Sequence, residues 1–117
     1  MELLSEAESK IAEWIWANPR IGSMKLVAVC ESSYGWKQST VFTMIRRMKD
    51  KGLLVNEKSH LTMTVSRHAY YHMYTKHILE CHYGGSLTAF VESALVYDGI
   101  DKNEAGRLLN VIRKYTN

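Results

Sequence analysis

Between Lys37 and Lys51 the short hydroxyl side chains Ser39, Thr40 and Thr43 come first, and the guanidinium groups of Arg46 and Arg47 follow. On a helix turning about 100° per residue, Val41, Met44, Ile45 and Met48 fall on one face. Ser39, Thr43, Arg46, Arg47 and Asp50 fall on the opposite one, with Phe42 on the flank. That order suits a helix whose first turns enter a DNA major groove. Ser and Thr can touch base edges or a thymine methyl, while Arg and Lys reach phosphate or guanine. The helix N-terminus adds N–H groups and a dipole that favour a nearby phosphate. A polar helix face also serves simply to meet water, so the face by itself does not decide the matter.

A second cluster invites metal chemistry: His68, His72, His77, Cys81 and His82 crowd one stretch. His68 and His72 are four residues apart, as are His77 and Cys81, the spacing that sets two ligands on one helix face. The two pairs lie about 180° apart on the wheel, however, so one helix cannot bring all four to one ion. A site would need another helix or a second copy of the chain. Cys81 as a nucleophile would need an oriented His base and a pocket, and neither is marked. The sequence therefore reads as a non-enzyme with no cofactor and no metal.

The elements that must position these residues follow from the hydrophobic pattern. Ser5 and Glu8 form a capping box, opening a helix with Ala7, Ile11, Trp14 and Ile15 on one stripe; Pro19 ends it near Asn18. Ser23 is placed to cap a second helix, from Met24 to about Ser32, with a turn over 32–35. The third helix spans about Lys37 to Lys51 and stops at Gly52. Leu53–Val55 and Leu61–Val65 then carry β-type residues around the polar stretch Asn56–His60, the pattern of a two-stranded hairpin. Helix four runs from about Arg67 to His82 and is broken by Gly84 and Gly85. Helix five carries the stripe Leu87, Phe90, Val91, Ala94 and Leu95. After the turn at Asp98-Gly99, Asp101 and Glu104 form a further capping box, and Ala105, Leu108, Leu109 and Ile112 line helix six.

Charge follows the same division. Residues 2–18 set Glu2, Glu6, Glu8 and Glu13 against Lys10. Residues 20–51 set Arg20, Lys25, Lys37, Arg46, Arg47, Lys49 and Lys51 against Glu31 and Asp50, and 67–117 are nearly neutral. The total of +3 over 117 residues is mild, but the excess lies where the reading helix lies. No apolar run is long enough to span a bilayer, and the acidic N-terminus is unlike a signal peptide. Two cysteines make neither a disulfide framework nor a closed zinc set. A membrane protein, a secreted disulfide scaffold and a histone-like polycation are thus excluded, and a cytoplasmic domain is expected.

Trp36, Thr40, Val41, Thr43, Arg47, Lys51, Gly52 and Leu54, with Met48 in a Leu position, resemble the W-x-x-x-T-V-x-T-x-x-x-R-L-x-x-K-G-x-L pattern of the penicillinase and methicillin-resistance repressor family, which has copper-responsive relatives. The opening from Leu4 to Trp16, the Gly85-Ser86-Leu87 start of helix five and the helix from Asp101 to Tyr115 resemble that family too. The resemblance covers nearly the whole chain. It implies a homodimeric repressor whose winged helix binds one half of a palindromic operator and whose C-terminal helices dimerise. It implies DNA contacts at Thr40, Thr43, Arg46 and Arg47, with Lys37, Ser39 and Phe42 at the groove end, and Trp16 and Trp36 as packing residues. The family's Gly-Arg pair at the wing tip is met here by His60-Leu61, leaving Lys58 and His60 as phosphate contacts. In drug-sensing members a sensor protease cuts an Asn-Phe bond in helix five; the matching place here is Ser93-Ala94, so that switch does not carry over. The Cys-x-Cys tail of the copper-sensing members is missing from residues 113–117.

The expected architecture is therefore mainly α: a winged helix-turn-helix domain over 1–66, with three helices and a two-stranded β hairpin wing, then a helical dimerisation region over 67–117. Tyr70, Tyr74, Leu87, Phe90, Val91, Ala94, Leu95, Leu108, Leu109 and Ile112 are the expected dimer interface. The expected function is sequence-specific repression by a homodimer on double-stranded DNA, with half-sites about one helical turn apart. The alternatives are a winged-helix module that binds protein instead of DNA, or a repressor released by a metal or ligand. The inducing signal, whether a sensor protease, a metal or a ligand, stays open at this level.

Overall fold

The computed structural model describes residues 3–117. Helix α1 (Glu6–Ala17) opens with the expected capping box: the Ser5 hydroxyl accepts the Glu8 N–H, and the Glu8 carboxylate accepts the Ser5 N–H at 2.8 Å. It closes at Asn18, just before Pro19. A two-residue strand β1 (Ile21–Gly22) follows, then α2 (Ser23–Tyr34), α3 (Gln38–Asp50), β2 (Leu54–Glu57), β3 (His60–Met63), α4 (Arg67–His82), α5 (Leu87–Leu95) and α6 (Lys102–Tyr115).

The sheet has three strands where a two-stranded hairpin is expected. β3 is central, antiparallel to both neighbours, with Ile21 opposite Leu61 on one side and Leu54 opposite Met63 on the other. Two residues carry no periodicity, and β1 exists only because β3 offers it a partner edge. Its presence also corrects the start of α2. Gly22 occupies the cap position, and Ser23 is a buried first helical residue whose N–H bonds the Ser59 carbonyl at 2.8 Å. The helix then runs through the turn expected at 32–35 to Tyr34, ending at Gly35 with φ +70, the left-handed conformation that a glycine takes without strain.

The hairpin tip is Lys58-Ser59, both with positive φ, rather than His60-Leu61. Glu57 pairs with His60 across it, and Leu61 is fully buried. A two-residue loop with both residues left-handed has the twist of the flanking strands, which is why the hairpin closes so tightly.

Two compact units divide the described chain between Tyr74 and Thr75, inside α4, where the sequence sets the boundary at 66. In the first, Ile11 and Ile15 of α1, Leu26 and Cys30 of α2, Val41, Ile45 and Met48 of α3, and Leu53 and Leu61 of the wing form one core. Burial of each Leu, Ile or Met contributes about 1.5–3 kcal/mol. Tyr70 explains the displaced boundary. Its ring is 1% exposed in this core, and its hydroxyl accepts the Leu4 N–H at 2.9 Å. Tyr70 is therefore a core residue of the first unit and is withdrawn from the expected dimer interface. Trp16 and Trp36 pack as expected: the Trp16 indole donates to the Val65 carbonyl at 2.9 Å, and Trp36 lies against Tyr34.

The second unit contains the end of α4, α5 and α6. Tyr83 meets Phe90 edge to face at 5.3 Å, and Ser86 caps α5 through the Ala89 N–H. Asp101 caps α6 through the Glu104 N–H, but the Glu104 carboxylate turns to Arg107, so only half of the expected box forms. Not one residue of α5 or α6 is buried. Among the described residues no helix is long and apolar enough to cross a membrane.

Candidate nucleic-acid interface

Helix α3 is held by its apolar face. Val41, Met44, Ile45 and Met48 are all buried, the four residues that the helical wheel groups together. Its C-terminal end is closed by Gly52 at φ +78, with the Leu53 N–H reaching back to the Met48 carbonyl at 3.1 Å. The opposite face is thereby fixed outward. Lys37, Ser39, Thr40, Arg46 and Arg47 are exposed, Phe42 is partly so, and Thr43 is half-buried.

At the N-terminal end no side chain caps the helix. Its first N–H groups and the positive end of its dipole are thus available to an anion. Thr43 donates its hydroxyl to the Ser39 carbonyl one turn earlier at 2.9 Å, which fixes its rotamer and leaves the oxygen lone pairs as acceptors. Ser39, Thr40, Thr43 and Arg47 line one shallow depression of about 400 Å³, with Ala7 and Trp36 at its edge. Neither Arg46 nor Arg47 forms an ion pair among the described residues. Both guanidinium groups are free to meet phosphate or guanine.

The wing offers two further candidates, Lys58 and His60. Lys58 sits at the exposed hairpin tip, and the His60 ring nitrogen lies 3.0 Å from the Lys58 carbonyl, so part of the imidazole's hydrogen bonding is taken up locally.

The sequence misses one feature of this surface. Lys51, the last cation of the basic stretch, turns inward: its ammonium lies 2.5 Å from a carboxylate oxygen of Glu8 and 2.9 Å from the Leu3 carbonyl. Burial alone would raise the Glu8 pKa. The Lys51 hydrogen bond, the Ser5 N–H and the Lys51 charge outweigh it and hold the carboxyl below its ordinary value. No sequence signal marks this pair, because its members are 43 residues apart.

The remaining expected residues lie in the second unit, except Tyr74. That ring is partly exposed and packs against Tyr70 and Tyr71. Leu87, Val91, Leu95, Leu108 and Ile112 line an open apolar cleft of about 920 Å³ between α5 and α6. Leu87 is 60% exposed and Ile112 52%. Phe90, Ala94 and Leu109 lie on the same two helices outside the cleft lining.

The histidine stretch does not assemble. His77 approaches Cys81 at 3.4 Å, but among the described residues no three of His, Cys, Asp and Glu gather in one place. Cys30 is buried, and burial pushes its thiol pKa up, away from the reactive thiolate.

The profile of the penicillinase repressor family matches residues 4–114. A penicillinase repressor from Bacillus licheniformis is 23% identical over 118 aligned residues, which cover 97% of this chain and 92% of that protein.

Proposed function

The chain belongs to the penicillinase repressor family, a family of transcriptional repressors, and from that premise we propose that it represses transcription as a homodimer on a two-fold operator in the cytoplasm. The observation that carries this reading is the outward face of α3, where hydroxyls at the N-terminal end and two unpaired guanidinium groups further along share one rigid helix. Thr40 and Thr43 meet base edges, and Arg46 and Arg47 meet phosphate or guanine. Lys37, Ser39 and Phe42 flank the groove end, and Lys58 and His60 of the wing approach the neighbouring backbone. Phosphate contacts supply most of the affinity, so binding falls steeply with salt.

The open face of α5 and α6 supports pairing with a second copy. Nothing within the unit buries a residue of either helix, and an apolar cleft of this size is a rare feature on a monomer surface. Leu87, Val91, Leu95, Leu108 and Ile112 form the centre of that interface, with Phe90, Ala94 and Leu109 at its margin; Tyr74 of α4 meets the second copy separately. A two-fold dimer then presents two reading helices to half-sites about one helical turn, roughly 10 bp, apart. Repression follows from occupancy of a promoter.

The test is a fluorescence-anisotropy titration of the full chain with duplexes taken from upstream of its own gene. Saturable, salt-sensitive binding of two chains to one duplex supports the proposal. Binding no tighter than to a scrambled duplex at low salt argues against it.

A further inference from the structure

The carbonyl of Leu3 and the N–H of Leu4 belong to one peptide group, and the fold grips that group from both sides. The carbonyl accepts from the Lys51 ammonium at the C-terminal end of α3, and the N–H donates to the Tyr70 hydroxyl in α4. A trans peptide is planar and stiff, so it transmits displacement rather than absorbing it. The same ammonium is bonded to Glu8, whose side chain is 2% exposed and whose other bond returns to the Ser5 N–H that starts α1. The ends of three helices thus meet at one buried polar knot with no unsatisfied side-chain atom among the described residues.

We propose that this N-terminal peptide is a strap coupling α4 to the end of the reading helix, and that Lys51 is a positioning residue that sets Arg46 and Arg47 instead of a phosphate contact in its own right. The proposal rests on the DNA-binding reading above. Arg47 lies within one turn of Lys51, and the Lys51 N–H bonds its carbonyl at 3.0 Å, so any shift of Lys51 moves Arg47 with it. Charge-assisted contacts at about 2.8 Å tolerate little displacement. Two of the three N–H donors of Lys51 are already spent inside the protein, which leaves a poor phosphate ligand but a firm anchor. α4 leads directly into the second unit, so a change in that unit that moves α4 would reach the reading helix through this peptide.

The experiment measures affinity of the full chain for the upstream duplex across a salt series, alongside thermal melts. Lys51→Met combined with Glu8→Gln removes both charges at nearly constant volume. It is expected to bind about tenfold more weakly or worse. With Arg46 and Arg47 already replaced by Ala, the same two changes are expected to cost no further affinity and no further salt slope, since Lys51 acts only through those two residues. Lys51→Arg keeps the anchor and is expected to bind within about threefold. Tyr70→Phe removes only the bond to Leu4 and reads the strap even where the double variant melts early; it too is expected to weaken binding.

A further slope loss of about 0.9 per chain when Lys51→Met and Glu8→Gln are added to Arg46→Ala and Arg47→Ala would make Lys51 a phosphate contact and overturn the proposal. Unchanged affinity in both the double variant and Tyr70→Phe would overturn it as well. If the unaltered chain bound no duplex, the DNA-binding reading itself would fail and take the strap with it, a result separable from the other two.

Discussion

Lys51 and Glu8 stand 43 residues apart in sequence and 2.5 Å apart in space, with only 2% of the Glu8 side chain and 19% of the Lys51 side chain in contact with water. The pair closes the first unit between α1 and α3. It also makes the unit sensitive to conditions and substitutions that a surface ion pair would ignore.

The first consequence is in pH. The folded state holds Glu8 ionised below the ordinary carboxyl range, so its contribution is complete above the unfolded glutamate pKa of about 4.3 and disappears as pH falls through the folded value. Tyr70 works at the other end. Burial raises its pKa, so its contribution is complete below about pH 10 and is lost as pH rises further. Urea melts from pH 3 to 11 are expected to show a broad plateau falling at both ends, with Glu8→Gln flattening the acid limb.

A double-mutant cycle separates the pair's worth from its burial cost. Lys51→Met alone leaves a buried carboxylate without its partner and is expected to cost about 3 kcal/mol, near the low end for such pairs because Lys51 retains some water. With Glu8→Gln added, most of that loss is expected to return. Denaturant midpoints of the four proteins measure it.

Much of the first unit is legible from local pattern. The Ser5–Glu8 box and the four-residue core face of α3 depend on spacing within one helix, and both form as read. What escapes is set by residues distant in the chain. β1 is two residues long and is defined by β3, Ser23 is buried where a cap is expected, and Tyr70 is claimed by Leu4 from 66 residues away. α4 gives little warning of this, since spacing alone does not say which of its tyrosines enters the core. On the exposed face of α3, the outward direction of Arg46 and Arg47 follows from the wheel, whereas the inward turn of Lys51 depends on Glu8 and is invisible to it.

The wing tip offers a stabilising substitution. Lys58 and Ser59 both hold positive φ, a conformation that costs a residue with a Cβ about 1–2 kcal/mol. Ser59→Gly relieves that strain, partly offset by the extra freedom of glycine when unfolded. A net gain of about 0.5–1 kcal/mol is expected in a thermal melt. The Ser23 N–H bond to the residue 59 carbonyl is a backbone contact and survives the change.

The α5–α6 face gives a prediction about assembly. Ile112→Glu puts a charge into the apolar cleft, where a second copy would have to desolvate it. Sedimentation equilibrium is expected to show the unaltered chain as a dimer and the variant shifted at least tenfold toward monomer. Operator binding should weaken in parallel, because two half-sites are no longer linked. The variant should keep its helical circular dichroism, since Ile112 is half exposed in the single chain.

The central claim is that the exposed face of α3 reads DNA, and the most direct measurement is the salt dependence of duplex binding by the full chain and by Arg46→Ala and Arg47→Ala. Each substitution is expected to weaken binding by at least tenfold. A guanidinium that meets phosphate should also lower the slope of log K against log salt by about 0.9 per chain, while one that meets guanine relaxes sequence preference instead. Affinity, slope and sequence preference all unchanged in both variants would contradict the account.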